Sequence, residues 1–158
     1  MEYVSYLDSP VGIIRTVANE VNLLSVDILD IRDVPPSNEN LITKAAIRQL
    51  AEYFDGSRRS FRLPLLLKGT PFQCDVWRAL ADIPFGATVT YTELARMASH
   101  PNAVRTSAST VGKNRFLIVL PCHRVVSKKS IGGYSAVGGI ATKRTLLAHE
   151  RTVSGIKS

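Results

Sequence analysis

The first 28 residues form short apolar runs broken by turn residues. YVSYL (3–7), IIRTVA (13–18) and LLSVDI (23–28) are rich in β-branched and aromatic side chains, and DSPVG and NEVN separate them. This predicts three strands joined by short turns, hence antiparallel neighbours. Residues 27–40, with Pro35, Pro36, Ser37 and two asparagines, read as a loop. The period then changes. Ile42, Ala46, Leu50, Tyr53 and Phe54 recur at helical spacing and predict a helix over 41–54, ended by Asp55-Gly56-Ser57. SRRSFRLPLLLKG returns as an extended strand or linker. No catalytic pattern stands out in this first region, which reads as a small structural α/β domain spanning 1–65.

The second region, 66–158, opens with Thr70-Pro71, a helix cap followed by proline at the first helical position. Phe72, Val76, Trp77, Leu80 and Ile83 share one stripe of that helix, and Cys74 lies off it, where packing rather than chemistry is expected. Thr90 and Glu93 have the spacing of a capping box before a helix running to Ala98. After SHPN a second short helix, AVRTSASTVGKN, carries Arg105 in its first turn. Two short helices with a tight connection suggest helix-turn-helix. Further on, SKKSIGGYSAVGG is a glycine-rich loop. IATKRTLLAHE is a helix packing Ile140, Leu146 and Leu147, and RTVSGIKS reads as a frayed tail.

Between the short helices and that loop lies NRFLIVLPCHRVV (114–126). Phe116 to Leu120 have the length and composition of a buried strand, and Pro121 ends it. Cys122 and His123 follow. Neighbouring strand residues face opposite ways, so these two cooperate only if the chain turns at Pro121. A nucleophile with its base is one reading; a buried structural cysteine beside a capping histidine is the other, and the dipeptide alone favours the latter.

Composition narrows the picture. Of 158 residues 45% are hydrophobic and 21% charged, as in an ordinary globular chain, and no apolar run reaches membrane-spanning length. MEYVSYLDSP has no signal-peptide pattern, so the cytoplasm is expected, or the nucleus in a eukaryote. Two cysteines and three histidines show no metal-ligand spacing, so neither a metal nor a disulfide framework is expected. The net charge of +7 is unevenly spread: residues 66–158 carry 13 Lys/Arg against 4 Asp/Glu, and residues 1–65 carry 7 against 9. A basic module joined to a mildly acidic one fits a nucleic-acid binder, although a basic surface without a partner fits equally well.

Phe72-Gln73, Val76-Trp77, Gly86, Val89-Thr90-Tyr91, Leu94-Ala95, Ala103-Val104-Arg105, Asn114, PCHRV (121–125), Gly133-Tyr134, Lys143, Leu146-Leu147 and Glu150 together resemble the O6-alkylguanine-DNA alkyltransferases. The resemblance runs from about Thr70 to Glu150, with weaker agreement in SPVGIIR. It implies a ribonuclease-H-like N-terminal α/β domain and a mostly helical, winged-helix-like C-terminal domain that binds DNA. It further implies that Cys122 accepts the alkyl group, His123 acts on it through water, Glu150 orients His123 and Asn114 braces the turn. Arg105 is implied to enter the base stack from the minor groove as the damaged guanine flips out. Tyr91 is implied to displace a phosphate and bond the flipped base. Thr90, Ala103, Ser107, Ala108 and Lys128 are implied to complete the DNA contacts, and Val125, Tyr134 and Ser135 to complete the pocket. The implied partner is double-stranded DNA containing O6-alkylguanine, with no cofactor and no membrane. The protein is expected to be monomeric in solution, with self-association on DNA left open. The chain departs from the family pattern at Arg115, where proline is usual, at Ala108 and Ser109, where glycine is frequent, and in the loop lengths on either side of Tyr134.

The chemistry of the residues agrees. A thiolate is the reactive form of Cys122, and with a reference pKa of ~8.5 it needs a base or a positive field. Attack on an sp³ alkyl carbon yields a thioether that water does not cleave, so the protein acts once. O4 of thymine is a second conceivable target. Two other readings compete: a non-catalytic DNA-binding regulator or alkylated-DNA sensor, which does not need the cysteine, and a cysteine hydrolase, which turns over and does not need a basic helix-turn-helix.

Overall fold

The computed structural model describes residues 1–155. They form two compact units, one of residues 1–67 with 115–119, the other of 68–114 with the chain from 120 onward.

In the first unit, strands β1 (Tyr3–Ser9), β2 (Gly12–Ala18) and β3 (Leu23–Leu29) form an antiparallel sheet in that order. Ile13, Ile14, Ala18, Leu23, Val26 and Ile28 are buried, and helix α1 (Leu41–Asp55) lies against β1 and β2 through Ala46, Leu50 and Tyr53. The helix starts where Asn40 and Thr43 cap each other's backbone, and it ends at Gly56, whose φ of 88° suits glycine. Ile42 and Phe54, expected on the apolar face, are half-buried; Thr43 and Gln49 are buried instead. Gln49 earns that place by bonding the returning chain twice, through its amide to the Arg62 carbonyl at 3.0 Å and from the Arg62 N–H at 2.9 Å. That returning segment forms no regular strand. It touches β3 through a single bridge, Leu23 to Leu65.

In the second unit, α2 (Pro71–Ala81), α3 (Tyr91–Met97) and α4 (Val104–Val111) pack on one another. Thr70 with Gln73, and Thr90 with Glu93, form reciprocal capping boxes at the starts of α2 and α3. Trp77 Nε1 donates to the Thr110 carbonyl at 3.0 Å and pins α2 to α4. The α3–α4 connection turns at Ser99, with φ 65°, giving the helix-turn-helix. A two-residue strand β4 (Val89–Thr90) pairs in parallel with β5 (Val125–Val126), and α5 (Gly139–Ser154) closes the unit. Helix α5 therefore continues through Arg151–Ser154, part of the segment read as a frayed tail; the rest of that reading, Ile156 to Ser158, lies outside the described residues.

The strand expected over Phe116 to Leu120 does not form. All five residues are buried, but only Phe116 makes a bridge, to Val26. The next residues turn: Val119 N–H bonds the Leu117 carbonyl at 2.8 Å, and Ile118 has φ 71°, a strained conformation for a β-branched residue. A buried apolar run satisfies burial equally well as a strand or as packed turns, so its pattern does not separate them.

Gly69 tests the packing at the start of α2. A Cβ there would come within 2.6 Å of both Gln73 Oε1 and Trp77 Cζ3. The tryptophan is held by Thr110 and cannot yield freely. Gly69→Ala is expected to destabilise the protein by about 1–3 kcal/mol, seen as a lower urea midpoint at unchanged slope.

Candidate active site

The site begins with the turn that the dipeptide requires. Pro121 has φ −78° and ψ 67°, the Cys122 N–H bonds the Leu120 carbonyl at 2.7 Å, and Cys122–Arg124 form one turn of 3₁₀ helix. Asn114 braces this turn, its Nδ2 donating to the Leu120 carbonyl at 2.8 Å. Immediately after, β5 fastens the chain to β4, at the start of α3.

Behind the cysteine lies a fully buried charged network. His123 Nε2 bonds Glu150 Oε2 at 2.5 Å. Arg124 reaches the same carboxylate through Nε (2.8 Å to Oε1) and Nη2 (3.2 Å to Oε2), and its Nη1 donates to the Ile83 carbonyl at 2.7 Å. The Gly86 N–H adds a bond to Oε1 at 3.2 Å. A carboxylate only accepts, so His123 carries its proton on Nε2, and Nδ1 is left as an acceptor, buried without a hydrogen-bond partner. Burial would raise the Glu150 carboxyl pKa, but hydrogen bonds and charge from His123 and Arg124 outweigh it and hold it well below the usual carboxylate range. Burial lowers the His123 pKa, against the pull of Glu150 and with help from Arg124 and Lys143. The histidine rests neutral.

Cys122 is 5% exposed and lies in a cleft of about 330 Å³ with Tyr91, Ala108, Val111, Gly112, Gly133, Tyr134 and Ser135. Burial pushes its thiol pKa up; Asn114, Lys143 and Tyr134 pull it down without cancelling the rise. The Tyr134 hydroxyl is buried beside the sulfur without a well-formed hydrogen bond, and burial and Cys122 drive its own pKa well up. Tyr91, at the first position of α3, is half-buried; burial raises its pKa, and the Gly133 backbone opposes the rise.

Of the residues expected at the site, Cys122, His123, Glu150, Asn114, Tyr91, Ala108, Tyr134 and Ser135 come together in this unit. His123 and Cys122 do so without a direct hydrogen bond to each other. Ser135 Oγ donates to the Gly112 carbonyl at 3.1 Å and so ties the loop to the end of α4. The Val125 carbonyl, expected to meet the substrate amine, accepts Lys143 Nζ at 2.6 Å. Arg105 and Lys128 are exposed, Ala103 is half-buried, and the Thr90 hydroxyl is used as the cap of α3. Ser107 corrects an expectation: it is 0% exposed, on the face of α4 that packs with Thr110 and Val111, and makes no surface for DNA.

Arg124 and Lys143 belong to the matched motifs but have no role assigned from the sequence. Lys143 is 0% exposed, bonds the Val125 and Gly133 carbonyls at 2.6 and 2.9 Å, and has its pKa lowered by burial to about 8. The signal that could have found both is their place within the motifs, one helical turn or less from Cys122, Leu146 or Leu147. Among the described residues no group of three or more His, Cys, Asp or Glu could hold a metal, and no helix is long and apolar enough to cross a membrane.

Fold and site define a two-domain protein whose helix-turn-helix domain carries a buried cysteine backed by a histidine–glutamate pair. The model for the 6-O-methylguanine DNA methyltransferase DNA-binding domain matches residues 71–152, and that for the ribonuclease-like domain matches residues 3–67. The chain belongs to this family. It is 37% identical over 155 residues to a methylated-DNA–protein-cysteine methyltransferase of Methanosarcina barkeri, covering 94% of this chain and 96% of the other. The crystal structure of Mycobacterium tuberculosis O6-methylguanine methyltransferase aligns with TM-score 0.84 at 34% identity, over 96% of this chain and 94% of that one. M. tuberculosis OGT in complex with DNA aligns with TM-score 0.83 at 34% identity, over 94% and 92%.

The network makes stability depend on pH. The folded pKa of His123 lies below its ordinary 6.5 and that of Glu150 below 4.5, so the unfolded chain binds the extra protons. Stability is full above about 6.5 and is lost progressively as pH falls through both ranges. Urea titrations at several pH values should show this loss, and Glu150→Gln should flatten it below pH 4.5 while lowering stability at pH 7.

Proposed function

We propose that this protein repairs DNA by direct reversal, moving an alkyl group from O6 of guanine, or O4 of thymine, onto Cys122. The observation that carries this reading is the thiol lining a base-sized cleft with a neutral histidine acceptor behind it, in a chain of this family. Similarity to the DNA-bound M. tuberculosis protein supports DNA as the partner.

In the proposed reaction the Cys122 proton passes through a bridging water to His123 Nδ1, leaving the electron pair on sulfur. The thiolate attacks the alkyl carbon in line, the carbon–oxygen bond breaks, and its electrons remain on the guanine. The Tyr91 hydroxyl donates to the leaving base. Lys143, charged at neutral pH, favours negative charge at sulfur. The product is a thioether without an acyl carbon, so the protein works once. O6 is inaccessible inside a duplex, and the exposed Arg105 at the first turn of α4 fills the stack from the minor groove while the base occupies the cleft. Lys128 meets the phosphate backbone. The protein acts as a monomer, in the cytoplasm or, in a eukaryote, the nucleus.

Intact-protein mass after incubation with an oligonucleotide containing O6-methylguanine tests the reading. One added methyl per protein, absent in Cys122→Ser, is expected; DNA binding without mass change would favour a lesion sensor. Unstacking costs a few kcal/mol, and 1.4 kcal/mol is about tenfold in rate. Arg105→Ala should therefore slow repair of duplex DNA about tenfold or more, with little effect on reaction with free O6-benzylguanine. Equal losses on both substrates would remove the flipping role.

A further inference from the structure

We infer that Arg124 is a positioning residue for proton transfer: by sharing Glu150 with His123, it keeps the imidazole neutral and its Nδ1 open to the Cys122 proton. The inference rests on the proposed use of Cys122 as a nucleophile, but not on the identity of the alkyl donor.

The geometry is that of a fork with three anchors. Nε and Nη2 straddle the Glu150 carboxylate at 2.8 and 3.2 Å, Nη1 is held by the Ile83 carbonyl at 2.7 Å, and the guanidinium lies 5.5 Å over the Phe85 ring. Arg124 is 4% exposed, so the arrangement is packed on all sides. The Gly86 N–H and His123 Nε2 donate to the same carboxylate, so with Arg124 the donors converge on it from the cysteine turn and from the turn after α2. Donors and cations favour the ionised carboxylate, so the proton stays on His123 and Glu150 orients the ring.

The charge balance follows. A buried carboxylate needs a cation. Were His123 its only charged partner, the ring would be easier to protonate, and the protonated ring, with N–H on both nitrogens, has nothing to accept a proton from Cys122. Arg124 supplies the cation, so the ring need not. The charged groups facing His123 are Glu150 and Lys143 from α5 and Arg124 from its own turn, with Cys122 adjacent. Two of these are cations and oppose protonation of the resting ring. When Cys122 gives up its proton, the imidazolium that forms is paired with Glu150, and the electron pair stays on sulfur. Arg124 makes and breaks no bond itself.

The test is the pH dependence of Cys122 alkylation by iodoacetamide, with the His123 ring titration followed by NMR in the full chain. In Arg124→Met, which keeps the aliphatic packing, the ring and the acid limb of the rate profile should both move up by about one pH unit. Below both midpoints that variant then reacts about tenfold more slowly than wild type. Arg124→Lys, which keeps the charge, should hold the wild-type midpoint. A folded methionine variant with unmoved midpoints would overturn the inference, because a merely structural arginine lowers the rate equally at every pH. Where the methionine variant fails to fold, Arg124→Met combined with Glu150→Gln removes both charges. It is expected to keep the midpoint at or below wild type, and a raised midpoint would overturn the inference. Iodoacetamide needs no DNA. A shifted profile without methyl transfer from O6-methylguanine would uphold the proton path and reject the repair reading.

Discussion

The carboxylate of Glu150 is the constraint on which the helix-turn-helix domain depends. It stands near the end of α5 and is reached by His123 and Arg124 from the cysteine turn and by the Gly86 amide from the turn after α2. One buried anion thus fastens three parts of the unit that are far apart in sequence. Bringing an ion pair out of water costs several kcal/mol per ion, and removing one partner of such a pair costs about 3–5 kcal/mol. The arrangement is therefore a costly way to hold two turns and a helix together, and hydrophobic packing would hold them as well. What hydrophobic packing does not supply is a fixed, ionised acceptor that determines which histidine nitrogen carries a proton. The stability cost is explicable by the chemistry.

A second tension sits at the thiol. Burial favours the neutral form of Cys122 and the neutral form of Lys143 alike, and each charge would relieve the other. The lysine, at about 8, retains its proton at neutral pH, while the thiol remains protonated until a base removes the proton. The thiol is thus protected at rest, and ionised only when an acceptor for its proton and an electrophile are both at hand. In the proposed single-use reaction, a resting thiolate exposed to electrophiles would be a liability.

Much of this was legible in the sequence because it rests on local rules. The three strands follow from short β-branched runs between turn residues, and the Thr90–Glu93 box and Thr70-Pro71 mark the starts of their helices. Cys122, His123, Asn114 and Glu150 came from the joint motif, not from any one of them. Physical reasons explain the rest. Charged residues are rarely buried without a partner, and residue type does not disclose the burial of Arg124 and Lys143; only the fold reveals partners that lie 26 and 18 residues away. Phe116 to Leu120 are as apolar as a strand, yet the chain spends them in turns. Ser107 and Arg105 differ by two positions on α4, and a helix places such residues on different sides. Which of them packs and which meets solvent depends on where α2 and α3 lie.

Helix α4 shows how few residues reconcile binding with chemistry. Ser107, Thr110 and Val111 are buried, Ala108, Val111 and Gly112 line the cleft, and Arg105 stands free in the first turn. From Arg105 to Gly112 the axis advances only about 10 Å, at 1.5 Å per residue. The side chain that would occupy the gap in the base stack and the wall that would receive the expelled base are therefore fixed on one rigid rod. Such a rod leaves little room for bulk. Ala108 lines the cleft, so its side chain takes up part of the cleft's width. Ser109 is exposed, and its carbonyl would lie 3.4 Å from a Cβ placed at Gly112. Ala108 thus belongs to the wall of the cleft, and Ser109 to the exposed side of the same helix.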